Sequence, residues 1–143
     1  KTDRSINFKI ARSIANKKYK KVAVLGLSYK GNLKVNILSP VIPFVKELRR
    51  KKINVKVYDP YYSTKEIKDI LGTKSFKFPS DLDKFDCIVI AADHNEFKIE
   101  KKLLEKYLMN NTFILDFFGI WKKHSLNKCG KIYLISGNKN WLE

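Results

Sequence analysis

The sequence has few cysteines, no long apolar run and little arginine. Its two cysteines, Cys87 and Cys129, are too few for a disulfide-rich secreted scaffold and fit a reducing cytoplasm. No apolar run approaches the roughly 18 residues that a transmembrane helix requires, and no apolar segment follows the polar opening residues as a signal peptide would require. We therefore expect a cytoplasmic protein without a membrane partner. Because residue 1 is Lys rather than Met, we also expect a fragment or a processed form of a longer protein.

The usual sequence signatures of nucleotide and metal sites are missing as well. Only Gly26 and Gly31 stand in the loop after the first predicted strand, whereas the dinucleotide fingerprint needs G-x-G-x-x-G followed at once by a helix. A Walker loop would need Gly-Lys-Ser/Thr, which does not occur. The two histidines and two cysteines do not have the spacing of a zinc site. We therefore predict no metal site and no direct dinucleotide-binding turn.

Positive charge is the most abundant feature of the sequence. The 30 basic residues outnumber 14 acidic ones, which gives a net charge of +16, and only four of the basic residues are arginine. The lysines are spread along the whole chain, and base reading in nucleic acids favours arginine. We interpret the charge as a solvated basic surface that attracts phosphate-bearing ligands. A non-catalytic module that binds nucleic acid is an alternative, although no nucleic-acid motif is present.

A chain of 143 residues fits one domain. Short apolar segments alternate with amphipathic ones, which is typical of right-handed crossovers around a parallel sheet. The sequence predicts a Rossmann-like, doubly wound, mostly parallel α/β sheet preceded by an N-terminal helix. The predicted helices cover 3–18, 39–52, 63–71 and 99–109, and the predicted strands cover 22–26, 54–59, 86–92, 112–116 and 131–135, with a weak strand at 75–78.

Ligands of such sheets bind beyond the carboxyl ends of the strands, so the loops there supply the candidate site residues. In the first loop, Lys30 can hold a phosphate or carboxylate and Tyr29 can stack on a flat base. The alternative is a solvated lysine beside an aromatic ring that packs under the loop. Ser28 and Lys34 on the same loop are further candidates for lining the cleft.

Two more candidates follow later strands. Asp59 can accept hydrogen bonds from a ribose, or it can simply be the turn residue of an Asp-Pro pair. His94 can be an acid–base group or a ligand contact, or it can only order its loop. Both residues are retained as candidates for lining the cleft.

The order of these motifs resembles a known family. The segments that carry the resemblance are Val22–Lys30, Ser39-Pro40, Val55–Pro60, Ala92–Phe97 and Phe113–Asp116. Together they are similar to the C-terminal, nucleotide-sugar-binding domain of the UDP-glucose/GDP-mannose 6-dehydrogenase family. The resemblance implies that residues 1–20 end the central helix that links two domains and forms the dimer, and that 21–143 form the Rossmann-like nucleotide-sugar domain. It also matches Tyr29 and Lys30 to the Phe-Lys pair of the family, which contacts substrate.

The resemblance further implies an activity for the whole enzyme. Family members use NAD to oxidise the C6 alcohol of a UDP- or GDP-sugar to the uronate, a precursor of polysaccharides. The NAD fingerprint and the nucleophilic cysteine of the family have no counterpart here, so we predict no catalytic residue and an inactive fragment. The expected partners are a nucleotide-diphosphate sugar, the remaining domains of the same enzyme and, in the intact enzyme, a second copy. NAD would be bound mainly by the missing N-terminal domain.

This chain departs from the family pattern at two places. The family continues after Phe-Lys with Asp-x-Arg-x-Ser, whereas Val35 and Ile37 stand at the acid and the arginine here. The arginine usually found after the Asp116-type strand is also absent, because Phe117-Phe118 follows. The loss of two guanidinium groups weakens bidentate phosphate binding. A degenerate domain kept only for architecture is therefore a further alternative.

Overall fold

A five-stranded sheet, parallel throughout, forms the centre of the computed structural model, which describes residues 4–28 and 30–135. The strands are β1 Lys21–Leu25, β2 Asn54–Tyr58, β3 Cys87–Ile90, β4 Phe113–Asp116 and β5 Ile132–Ile135, and the helices are α1 Arg4–Asn16, α2 Val41–Arg50, α3 Thr64–Leu71 and α4 Lys101–Tyr107. The strand order is β2-β1-β3-β4-β5. This topology confirms the predicted α/β fold class.

Both faces of the sheet are covered, because successive strand residues point to opposite sides. In β1, Val22 and Val24 belong to one buried cluster, whereas Ala23 and Leu25 belong to the other. The first cluster includes residues of α1, α2 and α3, and the second includes residues of α4 and the neighbouring 3-10 turns. Central strands that are buried on both faces explain the nearly continuous apolar runs in the sequence.

The prediction of a weak strand at residues 75–78 is wrong, since this segment forms no strand. It runs beside β2, where the Val57 amide donates to the carbonyl of Lys74. The rings of Phe76 and Phe78 lie 5.9 and 5.8 Å from the ring of Tyr58. Aromatic packing against β2, rather than a hydrogen-bonded ladder, therefore holds this segment.

Helix α2 begins at Val41, two residues after the predicted start at residue 39. Pro40 occupies the cap position and makes no side-chain cap hydrogen bond. The Ser39 hydroxyl instead donates to the carbonyl of Leu27 at 2.7 Å and accepts from the Val41 amide at 3.2 Å. Ser39 therefore joins the end of the loop after β1 to its beginning, which gives this long loop a fixed base.

The N-terminal helix packs on the same core as α2. Ile10, Ala11 and Ile14 are buried in the cluster that also contains Phe44 and Leu48. The division of the chain at residues 20 and 21 stays a prediction. In the part of the chain that the structure describes, no helix combines the length and apolarity needed to cross a membrane.

Candidate functional site at the carboxyl edge of the sheet

The loops that follow β1 and β3 touch each other at the carboxyl edge of the sheet. Gly26 has φ +115°, and a Cβ there would overlap the side chain of Ala92 and lie 2.7 Å from its backbone nitrogen. A Cβ at Gly31 would overlap the carbonyl of Asp93. The strand order reverses between β1 and β3, which is the usual place for a ligand in such a sheet. Here the inner face of the β1 loop fills that place.

A buried carboxylate fixes this arrangement. Asp59 is fully buried at the end of β2. It accepts hydrogen bonds from the amides of Leu27 at 2.8 Å and Ser28 at 3.0 Å. It also accepts from the Tyr61 amide and from Nε2 of His94, each at 2.9 Å. Burial alone would raise the pKa of Asp59, but these four donors outweigh it, so the pKa lies below its ordinary value.

His94 is the second part of this buried frame. Its Nδ1 accepts the amide of Asn32 at 2.8 Å, so Nε2 carries the proton that is donated to Asp59. The amide of Asn95 in turn donates to Oδ1 of Asn32 at 2.8 Å. The ring of Tyr61 packs edge-on against the imidazole, with the centroids 4.7 Å apart. Both ring nitrogens are thus engaged in holding the β1 loop against the β3 loop.

The structure divides the predicted site residues into two groups. Ser28, Asp59 and His94 are buried, and the Ser28 hydroxyl donates to the carbonyl of Leu33. Lys30 and Lys34 are exposed on the outer face of the loop. Tyr29 lies outside the described residues. A ligand at this edge would therefore meet the lysines first, and a substrate contact by any of these residues stays a prediction.

Lys34 is held by groups that the sequence reasoning missed. Its ammonium lies 2.7 Å from Oε2 of Glu66 and 5.2 Å from the ring centroid of Tyr62. The hydrogen bond from Lys34, followed by that from the Ser63 amide, lowers the pKa of Glu66. Tyr61 and Tyr62 could have been found from their position in the sequence, because they follow Asp-Pro directly at the carboxyl end of β2.

The loop after β4 is also ordered by a buried aspartate that accepts several backbone amides, as Asp59 does. Asp116 is fully buried and accepts the amides of Phe118, Gly119 and Trp121 at 3.0, 2.8 and 3.0 Å. Its fourth donor is the hydroxyl of Tyr133 at 2.5 Å. Burial and then this hydrogen bond raise the pKa of Tyr133. Asp116 therefore orders the loop and is not itself exposed to a ligand.

Comparison with known proteins identifies this architecture. Residues 23–123 match the model of the UDP-glucose/GDP-mannose dehydrogenase family, UDP binding domain. The chain belongs to this family. It is 34% identical over 130 residues to a UDP-N-acetyl-D-mannosamine dehydrogenase of Methanococcus vannielii, covering 85% of this chain and 28% of that protein. It is also 34% identical over 126 residues to a UDP-glucose 6-dehydrogenase of Rickettsia conorii, covering 85% of this chain and 29% of that protein.

Solved structures agree on the fold. A UDP-N-acetyl-mannosamine dehydrogenase from S. aureus superposes with a TM-score of 0.71 at 22% identity, over 96% of this chain and 32% of that one. A UDP-D-ManNAc dehydrogenase from Pyrococcus horikoshii gives a TM-score of 0.67 at 25% identity, over 92% and 30%. The chain thus spans less than a third of the length of these relatives. It corresponds to the C-terminal domain of UDP-sugar dehydrogenases.

Proposed function

We propose that this chain is the nucleotide-sugar-binding domain of an NAD-dependent dehydrogenase that oxidises a UDP-sugar or a similar nucleotide sugar to the uronate. The family match over residues 23–123 carries the proposal. In the complete enzyme the domain would work in the cytoplasm, together with the preceding domains and a second copy of the chain. The fragment contributes binding, and we expect no NAD reduction by it alone.

The outer face of the β1 loop supplies the proposed contacts to the diphosphate. Lys30 is exposed, and neither an ion pair nor a hydrogen bond engages its ammonium within residues 4–28 and 30–135. The loop below it is held by the buried Asp59–His94 pair at 2.9 Å. A cation on a rigid loop needs little reorganisation when it binds an anion, which favours affinity.

Lys34 can bind the diphosphate together with Lys30 if the diphosphate replaces the carboxylate of Glu66. Its pair with Glu66 is partly exposed, with 49% and 41% of the two side chains accessible. Such surface pairs contribute roughly 0 to 1 kcal/mol. A phosphate carries more charge than a carboxylate, so we infer that a diphosphate can displace Glu66 from Lys34.

The first loop does not fit the pyrophosphate of NAD. A dinucleotide site needs a helix N-terminus directly after the strand, whereas α2 begins only at Val41. The tight approach of Gly26 to Ala92 also leaves no backbone cradle at this turn. We therefore assign NAD to the parts of the enzyme that the relatives have and this chain lacks, and we derive no step of the hydride transfer from it.

One observation favours an architectural role as the second candidate. Ile37 and Leu38 are 74% and 83% exposed on the β1 loop, and Ile37 stands where the family pattern has an arginine. An apolar rim suits packing against another domain better than it suits binding a diphosphate. In that case the domain would stabilise the enzyme without contacting substrate.

Calorimetry with UDP, UDP-glucose and GDP-mannose tests the proposal on this chain. We expect weak binding of at least one of these ligands, reduced about three- to tenfold in Lys30→Ala because one charge-assisted contact to phosphate is lost. Lys74→Ala, which changes an exposed lysine beside β2, is the matched control and should bind as the wild type does. Absence of heat with all three ligands would contradict the proposal and favour the architectural role.

A further inference from the structure

A groove opens between the loops that follow β3 and β4. It has a volume of about 430 Å³, which lies within the range of roughly 300 to 1,000 Å³ that is common for small-molecule sites. The lining residues are Lys98, Ile99, Gly119, Ile120, Lys122, Lys123 and His124. Three of these seven residues are lysines, which makes the groove cationic.

Two of the lysines are available for an anion. Lys122 and Lys123 are exposed, and neither side chain has an ion-pair or hydrogen-bond partner in the portion of the chain that the structure covers. Lys98 differs, because its ammonium lies 3.5 Å from Oδ1 of Asp93 and 3.3 Å from Oδ1 of Asn95. The uncompensated charge is therefore concentrated on the β4 side of the groove.

The groove has a fixed shape and an apolar wall. The Gly119 amide is bound to Asp116 at 2.8 Å, which anchors the β4 loop. Nε2 of His124 donates to the carbonyl of Ile99 at 2.9 Å, which joins the β4 loop to the β3 loop across the groove. Ile99 and Ile120 are half-buried and supply apolar surface beside the lysines.

We propose that this groove binds an organic phosphate, with the phosphate on Lys122 and Lys123 and the non-phosphate part against Ile99 and Ile120. Ammonium groups bind phosphate as point charges, and an apolar wall accommodates a ring or another weakly polar group. The site is separate from the proposed nucleotide-sugar site, because no residue of the β1 loop that the structure describes lines the groove.

Backbone NMR of the chain locates the binding directly, with UMP and inorganic phosphate as the probes. We expect UMP to shift the amides of Gly119, Ile120 and Lys123, and inorganic phosphate to shift them less because it cannot use the apolar wall. The double variant Lys122→Glu, Lys123→Glu should weaken this binding about tenfold or more.

The matched control is Lys74→Glu, Lys77→Glu, which changes the net charge equally on exposed residues beside β2. It should bind UMP at the groove within about twofold of the wild type. If UMP binding weakens equally in both double variants, it depends on the overall positive charge of the chain and not on a specific site. That result would overturn the proposal. Unshifted groove amides at millimolar UMP would also overturn it, whatever happens at the β1 loop.

Discussion

Two buried aspartates define this domain at the scale of single residues. Asp59 and Asp116 stand at the carboxyl ends of β2 and β4, and each accepts three backbone amides and one side-chain donor. A buried charge is costly unless such donors surround it. Their position after apolar strands was visible in the sequence, but their donors were not. Asp59 and its donor His94, for example, are 35 residues apart in the chain.

The lowered pKa of Asp59 predicts how stability depends on pH. A carboxyl whose pKa is lower in the folded state stabilises the fold above the unfolded value, about 3.9. This contribution is lost as the pH falls through the lower folded value. We expect the free energy of unfolding, measured in urea, to decrease below about pH 4. In Asp59→Asn the fall should be shallower, and an equally steep fall would contradict this account of Asp59.

Replacement of His94 should loosen the site without touching its exposed lysines. His94→Ala leaves the Asn32 amide without its acceptor, removes one of the four donors to Asp59 and creates a cavity. We expect a loss of about 2 to 4 kcal/mol in urea unfolding. His124→Ala, which removes one half-exposed hydrogen bond, should cost no more than about 1 kcal/mol. Equal losses of unfolding free energy in the two variants would show that the buried network stabilises the fold no more than the half-exposed hydrogen bond of His124 does.

At the scale of elements, local sequence patterns predicted most of the fold. The strands were predicted from short apolar runs, and the helices from apolar faces and from the residues that start or end a helix. The segment 75–78 was misassigned, since its alternating phenylalanines pack on Tyr58 instead of pairing with a strand. The course of the β1 loop could not be predicted either, because distant residues hold it.

Gly26 should be the most sensitive backbone position of this loop. In Gly26→Ala the new Cβ would combine a strained φ of +115° with an overlap against Ala92. We expect a loss of about 3 kcal/mol or more in thermal unfolding. Gly119→Ala has a φ of +68° but meets only ordinary contacts beyond 3.7 Å, so it should cost about 1 kcal/mol. A mild effect at Gly26 would mean that the two loops separate easily.

At the scale of the whole molecule, the chain corresponds to one domain of the longer UDP-sugar dehydrogenases. The order of short motifs was enough to predict the family, and the match over residues 23–123 confirms it. The ligand contacts of the predicted cleft stay a prediction, and the structure adds that Ser28, Asp59 and His94 are buried in the frame. The sequence gives residue types at strand ends, but only the packed structure separates the residues that build a loop from those exposed on it.

The central claim is that the outer face of the β1 loop binds the diphosphate of a nucleotide sugar. A titration of the chain with UDP, followed by backbone NMR, tests it most directly. We predict that the amides of residues 30–34 shift, and that these shifts weaken strongly in the double variant Lys30→Ala, Lys34→Ala. If those amides stay unshifted at millimolar UDP, or shift equally in the double variant, the claim is contradicted.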